Sequence, residues 1–270
     1  MKYTVRLFFL VCLLGGLCTA CGGASSTNTS SPPVSLKVFA ASSLTESFHA
    51  MAQEYQKTHP AVTITFNFAG SQVLEQQLAN GAPADIFASA DLANMQKVQQ
   101  SGLVDSSQIF AKNKLVVIIP ANNPAGITSL QDLAKHGVKI DLEAATVPAG
   151  KYTLQVLDKM THVSTYGSSY KRAVLANVVS QEDNVKAVVQ KVQLGEVDAG
   201  FVYLTDITAP LAGKVGSIEI PDAINVIAQY PIAVMKHAIS ASEAQLFLQY
   251  VLSSAGQAIL DRYHFLGVSS

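Results

Sequence analysis

The sequence predicts an α/β protein of two lobes, each built on a mostly parallel sheet, with the lobes joined by crossing hinge strands. Three observations predict it. Short β-branched runs alternate with helical patterns from Leu36 to the C-terminus, the signature of a parallel sheet with helices on both faces. The chain has 270 residues, within the range of roughly 250–300 at which a single core tends to split. The body contains no Pro/Gly/Ser-rich linker, so two lobes must be connected through ordered strands.

The N-terminus stands apart from that body. Lys2 and Arg6 precede an apolar run over residues 7–17, roughly eleven residues long, whereas a membrane span needs about 20. Residues 1–20 therefore read as a secretion signal with Thr19 and Ala20 at its end. The following Cys21-Gly22-Gly23 makes a segment that resembles the lipobox of bacterial lipoproteins, with Cys18 where that pattern has Leu. Cys21 is the expected lipidation site, and ordinary cleavage to a secreted protein is the alternative. The three cysteines are residues 12, 18 and 21, so the body holds neither a disulfide nor a thiolate metal site. Residues 21–35 are small and polar, read as a flexible tether stiffened at its end by Pro32 and Pro33.

The body then reads element by element. Strands are expected at 36–40, 62–66, 85–88, 115–119, 138–142 and 197–202, with an extended stretch over 226–235. Helices are expected at 43–58, where Leu44, Phe48, Met51, Ala52 and Tyr55 share a face, and at 72–79, 91–100 and 151–160. Further helices are expected at 184–194, closed by Gly195 in a left-handed cap, and at 241–253 and 255–262. The chain is expected to enter the second lobe near 112–115 and to return near 228–231. Lobe 1 is then 36–111 plus 228–270, and lobe 2 is 112–227.

Ligands in such sheets sit beyond the carboxyl ends of strands, where helices begin. Ser43 and Glu46 follow the first strand with capping-box spacing, and Gly70-Ser71 opens the next helix. Pro148-Ala149-Gly150 starts another helix with small residues, and Lys151 beside it reads as a solvated first-turn residue. Asp183 reads as the cap before Val185, and Tyr203 ends a strand. Each feature alone is explained by helix capping. Together they describe an anion cradle of neutral donors and helix N-termini drawn from both halves.

Other chemistries find little support. The 18 Lys and Arg against 19 Asp and Glu give a net charge of −1, with no basic block to bind nucleic acid. The six histidines are scattered, and no HExxH, GxSxG or Walker motif occurs. Asp85 and Asp91 are read as a strand start and a helix cap. The expectation is a protein that is not an enzyme, carries no cofactor and coordinates no metal directly. A structural or adhesive lipoprotein remains an alternative.

Five segments carry a family resemblance: VFAASSLTESF (38–48), FNFAGSQVLEQQLANGAPADIFASAD (66–91), VPAGKY (147–152), EDNVKAV (182–188) and GFVYLTD (200–206). With QYPIAVMK and LDRYHF near the end, the chain resembles the molybdate-binding proteins of bacterial ABC transporters, within the type II periplasmic binding-protein fold. The resemblance implies an extracytoplasmic, monomeric protein that holds molybdate or tungstate between its lobes. It also implies delivery to a membrane permease with a cytoplasmic ATPase. Carried over by motif, the ligand residues are Ser43, Ser71, Ala149, Val185 and Tyr203. Two positions depart from the pattern. Ser42 stands where alanine is frequent, leaving open which serine points inward, and Leu204 stands where glycine is common. A related class adds carboxylates to the metal, with Glu at the position of Val185. Here that residue is Val and the Ala149 loop has no acid, so an acid-free site for a tetrahedral ion is expected.

A dianion accepts hydrogen bonds only, and Ser, Tyr and backbone N–H groups donate them. An acid-free site disfavours phosphate, which keeps a proton. Sulfate matches in charge and can be rejected only by size, because a smaller ion leaves donors unpaired at about 1–3 kcal/mol each. Another oxyanion such as sulfate, or ferric iron held by tyrosines, is the alternative ligand.

Overall fold

The computed structural model describes residues 33–268. The leader 1–20, Cys21 and most of the expected tether lie outside them. In chain order the strands are β1 (Val34–Ala41), β2 (Val62–Ala69), β3 (Ile86–Ala88), β4 (Gln108–Asn113), β5 (Leu115–Pro120), β6 (Ile140–Glu143), β7 (Val178–Glu182), β8 (Ala199–Tyr203), β9 (Val215–Glu219) and β10 (Ala228–Val234). The helices are α1 (Thr45–Thr58), α2 (Ser71–Ala79), α3 (Leu92–Gln100), α4 (Pro148–Thr161), α5 (Tyr170–Ala176), α6 (Val185–Leu194), α7 (Ala241–Leu252) and α8 (Ser254–Arg262). β1 begins two residues before the expected end of the tether, where Val34 and Ser35 pair with Val62 and Thr63.

Among the described residues the strands form two five-stranded sheets, ordered β2-β1-β3-β10-β4 and β7-β6-β8-β5-β9. β1 runs parallel to β2 and β3, and β6 runs parallel to β7 and β8. The sheets are nonetheless mixed. β10 is antiparallel to β3 and β4, and β5 is antiparallel to β8 and β9. These two are the first strands laid down after each crossing between sheets. One residue, Lys114, separates β4 in the first sheet from β5 in the second, and residues 220–227 lead back from β9 to β10. Asn225 ties the two crossings together: its side chain accepts from the Leu115 N–H at 3.2 Å and donates to the Leu115 carbonyl at 2.8 Å.

Sequence patterns locate the buried elements well. All six residues of β5 are buried, so it needs only continuous apolar character. In α1 the buried face is Ser47, Phe48, Met51, Ala52 and Tyr55. β7 and β9 are edge strands of alternating, partly exposed residues, and α5 buries only Tyr170 and Val174. β4 and α5 hold only short apolar stretches, IFA in β4 and AVLA in α5, too brief to mark a strand or a helix by periodicity. At Tyr230/Pro231 the β10–β4 register slips, as expected where proline removes a ladder donor.

Two expected caps are corrected. Ser42–Leu44 is a 3-10 turn and α1 starts at Thr45, so Ser43 and Glu46 form no capping box. The Ser43 hydroxyl is engaged by Tyr230 and the Glu46 carboxylate by Lys186. At α6 the cap is Asn184, whose side chain accepts from the Ala187 N–H, and not Asp183. Gly195 closes that helix at φ 71°, as read from sequence. Gly195→Ala is expected to lower the unfolding free energy by about 1 kcal/mol, the cost of a side chain in the left-handed region. Urea denaturation with an unshifted midpoint would contradict that. No described helix is long and apolar enough to cross a membrane.

Candidate functional site

The carboxyl ends of β1, β2, β6 and β8 converge on one small cavity of about 10 Å³. From the first sheet it is lined by Ser42, Ser43, Gly70, Ser71 and Ala90, and from the second by Glu143, Pro148, Val185 and Tyr203. Four of the five residues expected at the site, Ser43, Ser71, Val185 and Tyr203, therefore face one space. Ser42 lines it too, beside Ser43.

Each side chain is placed by its own local chemistry. Ser71 is the first residue of α2, and its buried hydroxyl accepts from the Ala90 N–H at 3.0 Å. That leaves the hydroxyl proton unspent, because an accepting oxygen can still donate. Ser43 lies 3.0 Å from the Tyr230 hydroxyl, which accepts from Asn113 Nδ2 at 3.3 Å. Asn113 Nδ2 also donates to Thr205 Oγ1 at 2.8 Å, so one chain of polar groups runs from the first sheet to the loop after β8. Val185 opens α6, and its N–H is among those that the helix itself cannot satisfy. Tyr203 ends β8 with its hydroxyl fully buried and without a hydrogen-bond partner among the described residues. Burial, with Tyr230 and Glu143 nearby, holds that phenol well above the usual tyrosine range, so it remains a proton donor.

Ala149 behaves differently. It does not line the cavity, and its N–H donates to Glu143 Oε2 at 2.6 Å, joined by the Gly150 N–H at 3.2 Å. The first turn of α4 is pressed against the end of β6: a Cβ on Gly150 would lie 2.2 Å from the Ala144 carbonyl oxygen. A carboxylate at the end of β6 therefore caps the helix whose amide was expected to meet the ligand. This corrects the expectation of an acid-free site. The acid is supplied by the strand before the Ala149 loop, not by the loop itself. Glu143 is 3% exposed, and burial pushes its carboxyl up to about 8 against the pull of the two N–H groups, with Asp206 and Asp183 adding to the rise.

The rim is held across the two sheets. Lys186 on α6 pairs with Glu46 on α1 at 2.8 Å and with Asp206 at 3.1 Å. Burial opposes the lysine's charge, yet Asp206 and Glu46 outweigh it and keep its pKa raised. Gln72 on α2 donates to the Asp183 carbonyl at 2.8 Å. Lys151 is half-exposed and lies 3.9 Å from Asp91. Among the described residues no group of three or more His, Cys, Asp or Glu is placed to hold a metal ion. The cavity offers hydroxyls and helix-start amides, which suit an oxyanion by hydrogen bonding.

The family model of the bacterial extracellular solute-binding proteins matches residues 36–266, nearly all of the folded body. The chain belongs to that family. As a bacterial extracellular solute-binding protein it works outside the cytoplasm, in solute transport. It is 36% identical to the molybdate-binding protein ModA of Mycobacterium tuberculosis, over 94% of both chains. It is 30% identical to a putative ABC transporter substrate-binding lipoprotein of Bacillus subtilis, YvgL, over 98% of both. Among solved structures, the substrate-binding domain of a putative molybdenum ABC transporter from Clostridium difficile superposes with a TM-score of 0.65 at 31% identity. That match covers 87% of this chain and 99% of the other.

Glu143, Tyr230 and Asn113 were not read from the sequence as site residues. Glu143 carried the same signal that picked out Ser43 and Ser71, a polar residue at the carboxyl end of an apolar strand. Tyr230 and Asn113 lie on strands β10 and β4, far apart in sequence, and only the sheet pairing brings them together.

Proposed function

We propose that this solute-binding protein captures molybdate or tungstate as an intact tetrahedral dianion and delivers it to an ABC importer of membrane permease and cytoplasmic ATPase. The observation that carries the reading is the cavity where the Ser43, Ser71 and Tyr203 hydroxyls meet the start of α6, with the Tyr203 hydroxyl buried and without a partner among the described residues. A buried hydroxyl without a partner costs about 1–3 kcal/mol, and an anion that accepts from it recovers that cost. The names of the relatives support the choice of molybdate. In this reading Ser43, Ser71, Val185 and Tyr203 donate to the anion, and the Ala149 amide acts through Glu143. Lobe 1 comprises 36–111 and 228–270 and lobe 2 comprises 112–227. The anion binds as the lobes close on hinges at the two crossings, with Lys186–Glu46 fastening the closed form. The protein performs no catalysis, acts as a monomer and is tethered to the membrane through an acylated Cys21, a reading supported by the lipoprotein among its relatives.

Glu143 favours a second reading. Where it is ionised, above about pH 8, its carboxylate repels a neighbouring unit charge by on the order of 4 kcal/mol at about 4 Å and an effective dielectric of about 20. It would instead accept a hydrogen bond from a proton-bearing anion such as hydrogen phosphate. A thermal-shift panel separates the readings. Molybdate and tungstate are expected to stabilise the protein by about 2.7 kcal/mol at 100-fold excess over Kd, with sulfate and phosphate far behind. Stabilisation led by phosphate would favour the second reading, and no response to any of the four ions would sink both. Ser43→Ala should weaken molybdate binding by at least about tenfold, the low end of the roughly 1.5–3 kcal/mol carried by one charge-assisted hydrogen bond, with isothermal calorimetry as the measurement.

A further inference from the structure

We propose that Glu143 links capture to a proton: the dianion is bound with the Glu143 carboxyl neutral and donating to it, so that one solvent proton accompanies each anion wherever Glu143 is ionised beforehand. This rests on the oxyanion reading given above. The argument begins with position. Glu143 lines the cavity, is buried, and takes its two hydrogen bonds from the Ala149 and Gly150 N–H groups on one oxygen, Oε2. Among the described residues it forms no ion pair, and Lys186 at the start of α6 is spent on Asp206 and Glu46. A dianion placed beside it therefore meets an uncompensated carboxylate in a water-poor site. Protonation removes the repulsion and adds an O–H donor, while the other carboxyl oxygen keeps accepting from the helix start. The balance is simple: carboxylate, anion and one proton from solvent give carboxylic acid and bound anion, with no bond of the anion broken.

The surroundings agree. Asp183 before α6 and Asp206 after β8 both raise the Glu143 pKa, which burial has already pushed up to about 8. Tyr203 on β8 is held well above the usual range, and so is Tyr152 on α4, so neither loses a proton near that pH. Asp91, next in sequence to the cavity-lining Ala90, lies 3.9 Å from Lys151. Asp206, although burial raises it, is 3.1 Å from Lys186. The sign follows. Below about pH 8 Glu143 is already neutral and affinity is flat with pH. Above it, the competent fraction shrinks and affinity falls towards tenfold per pH unit.

The test is calorimetry of the full chain with molybdate from pH 7 to 9.5, in paired buffers of different ionisation heat. The expected result is a Kd that weakens more than tenfold across that range, with proton uptake rising from near zero to about one per anion. In Glu143→Gln both trends should vanish. Molybdate binding with no uptake and a flat profile would overturn the proposal while leaving the oxyanion reading intact. Uptake that persists in Glu143→Gln would assign the proton elsewhere and overturn it as well. No molybdate binding at any pH would remove the functional reading and this inference together. Should Glu143→Gln fail to fold, difference infrared spectroscopy of the unsubstituted protein at pH 9 decides. Molybdate must convert a carboxylate band into a neutral carboxyl C=O band, and its absence counts against the proposal.

Discussion

Tyr203→Phe is expected to weaken anion binding by about 10- to 100-fold and to leave the ligand-free protein as stable as before or more so. The two halves of that result come from one atom. The Tyr203 hydroxyl is buried and finds no partner among the described residues, so deleting it costs the protein no internal hydrogen bond. It removes instead a polar atom that folding desolvated without return. A hydrogen bond to a charged acceptor is worth about 1.5–3 kcal/mol, and 1.4 kcal/mol is one decade in Kd. The ring remains, so its packing 5.8 Å from Tyr230 survives. Calorimetry with molybdate reads the first half, and urea unfolding without ligand reads the second. The contrast with Ser43→Ala sharpens the test. That change breaks the 3.0 Å bond to Tyr230, so it should cost both affinity and about 1 kcal/mol of stability. If Tyr203→Phe instead destabilised the ligand-free protein and spared affinity, the hydroxyl would be structural and the cavity would lose its main credential.

How much of this was legible beforehand depended on whether a feature is local. β5 needed only its own six apolar residues, and α6 only its helical pattern and a glycine at its end, so both were placed from sequence. The lining of the cavity by Ser43, Ser71, Val185 and Tyr203 was legible because each sits where a strand gives way to a helix or turn. The capping box at Ser43 was misplaced because capping spacing is local, whereas the real partners, Tyr230 and Lys186, lie 187 and 140 residues away. Glu143 escaped for a different reason. It ends the strand before the Ala149 loop, and only the fold carries its carboxylate over the first turn of α4. Edge strands β7 and β9 alternate weakly because one side meets solvent, and no periodicity marks them out.

Gly70→Ala tests how closely the two sheets meet, and it should weaken binding by about 5- to 100-fold. Gly70 has φ −59°, which alanine adopts freely, so backbone strain plays no part. What matters is space. A Cβ at this position would lie 2.1 Å from the Asp183 carbonyl oxygen and 2.6 Å from the Gln72 amide group. Gln72 can swing aside, but Asp183 is backbone, two residues ahead of the α6 start at Val185. Restoring van der Waals distance must push that start away from the first sheet and carry the Val185 N–H out of the cradle. Overpacking of this kind costs about 1–3 kcal/mol, and it falls on the form in which the sheets meet, hence on affinity. The stability of the ligand-free protein should drop by less than about 1 kcal/mol, since Gly70 is also the cap of α2 and alanine is a poor one. Gly70→Ser separates the two effects. It adds the same Cβ but supplies a capping hydroxyl, so it should recover stability without recovering affinity. If calorimetry found both variants within twofold of the parent, the approach of Gly70 to Asp183 would have no part in holding the anion, and the start of α6 would have to reach the ligand by some other geometry.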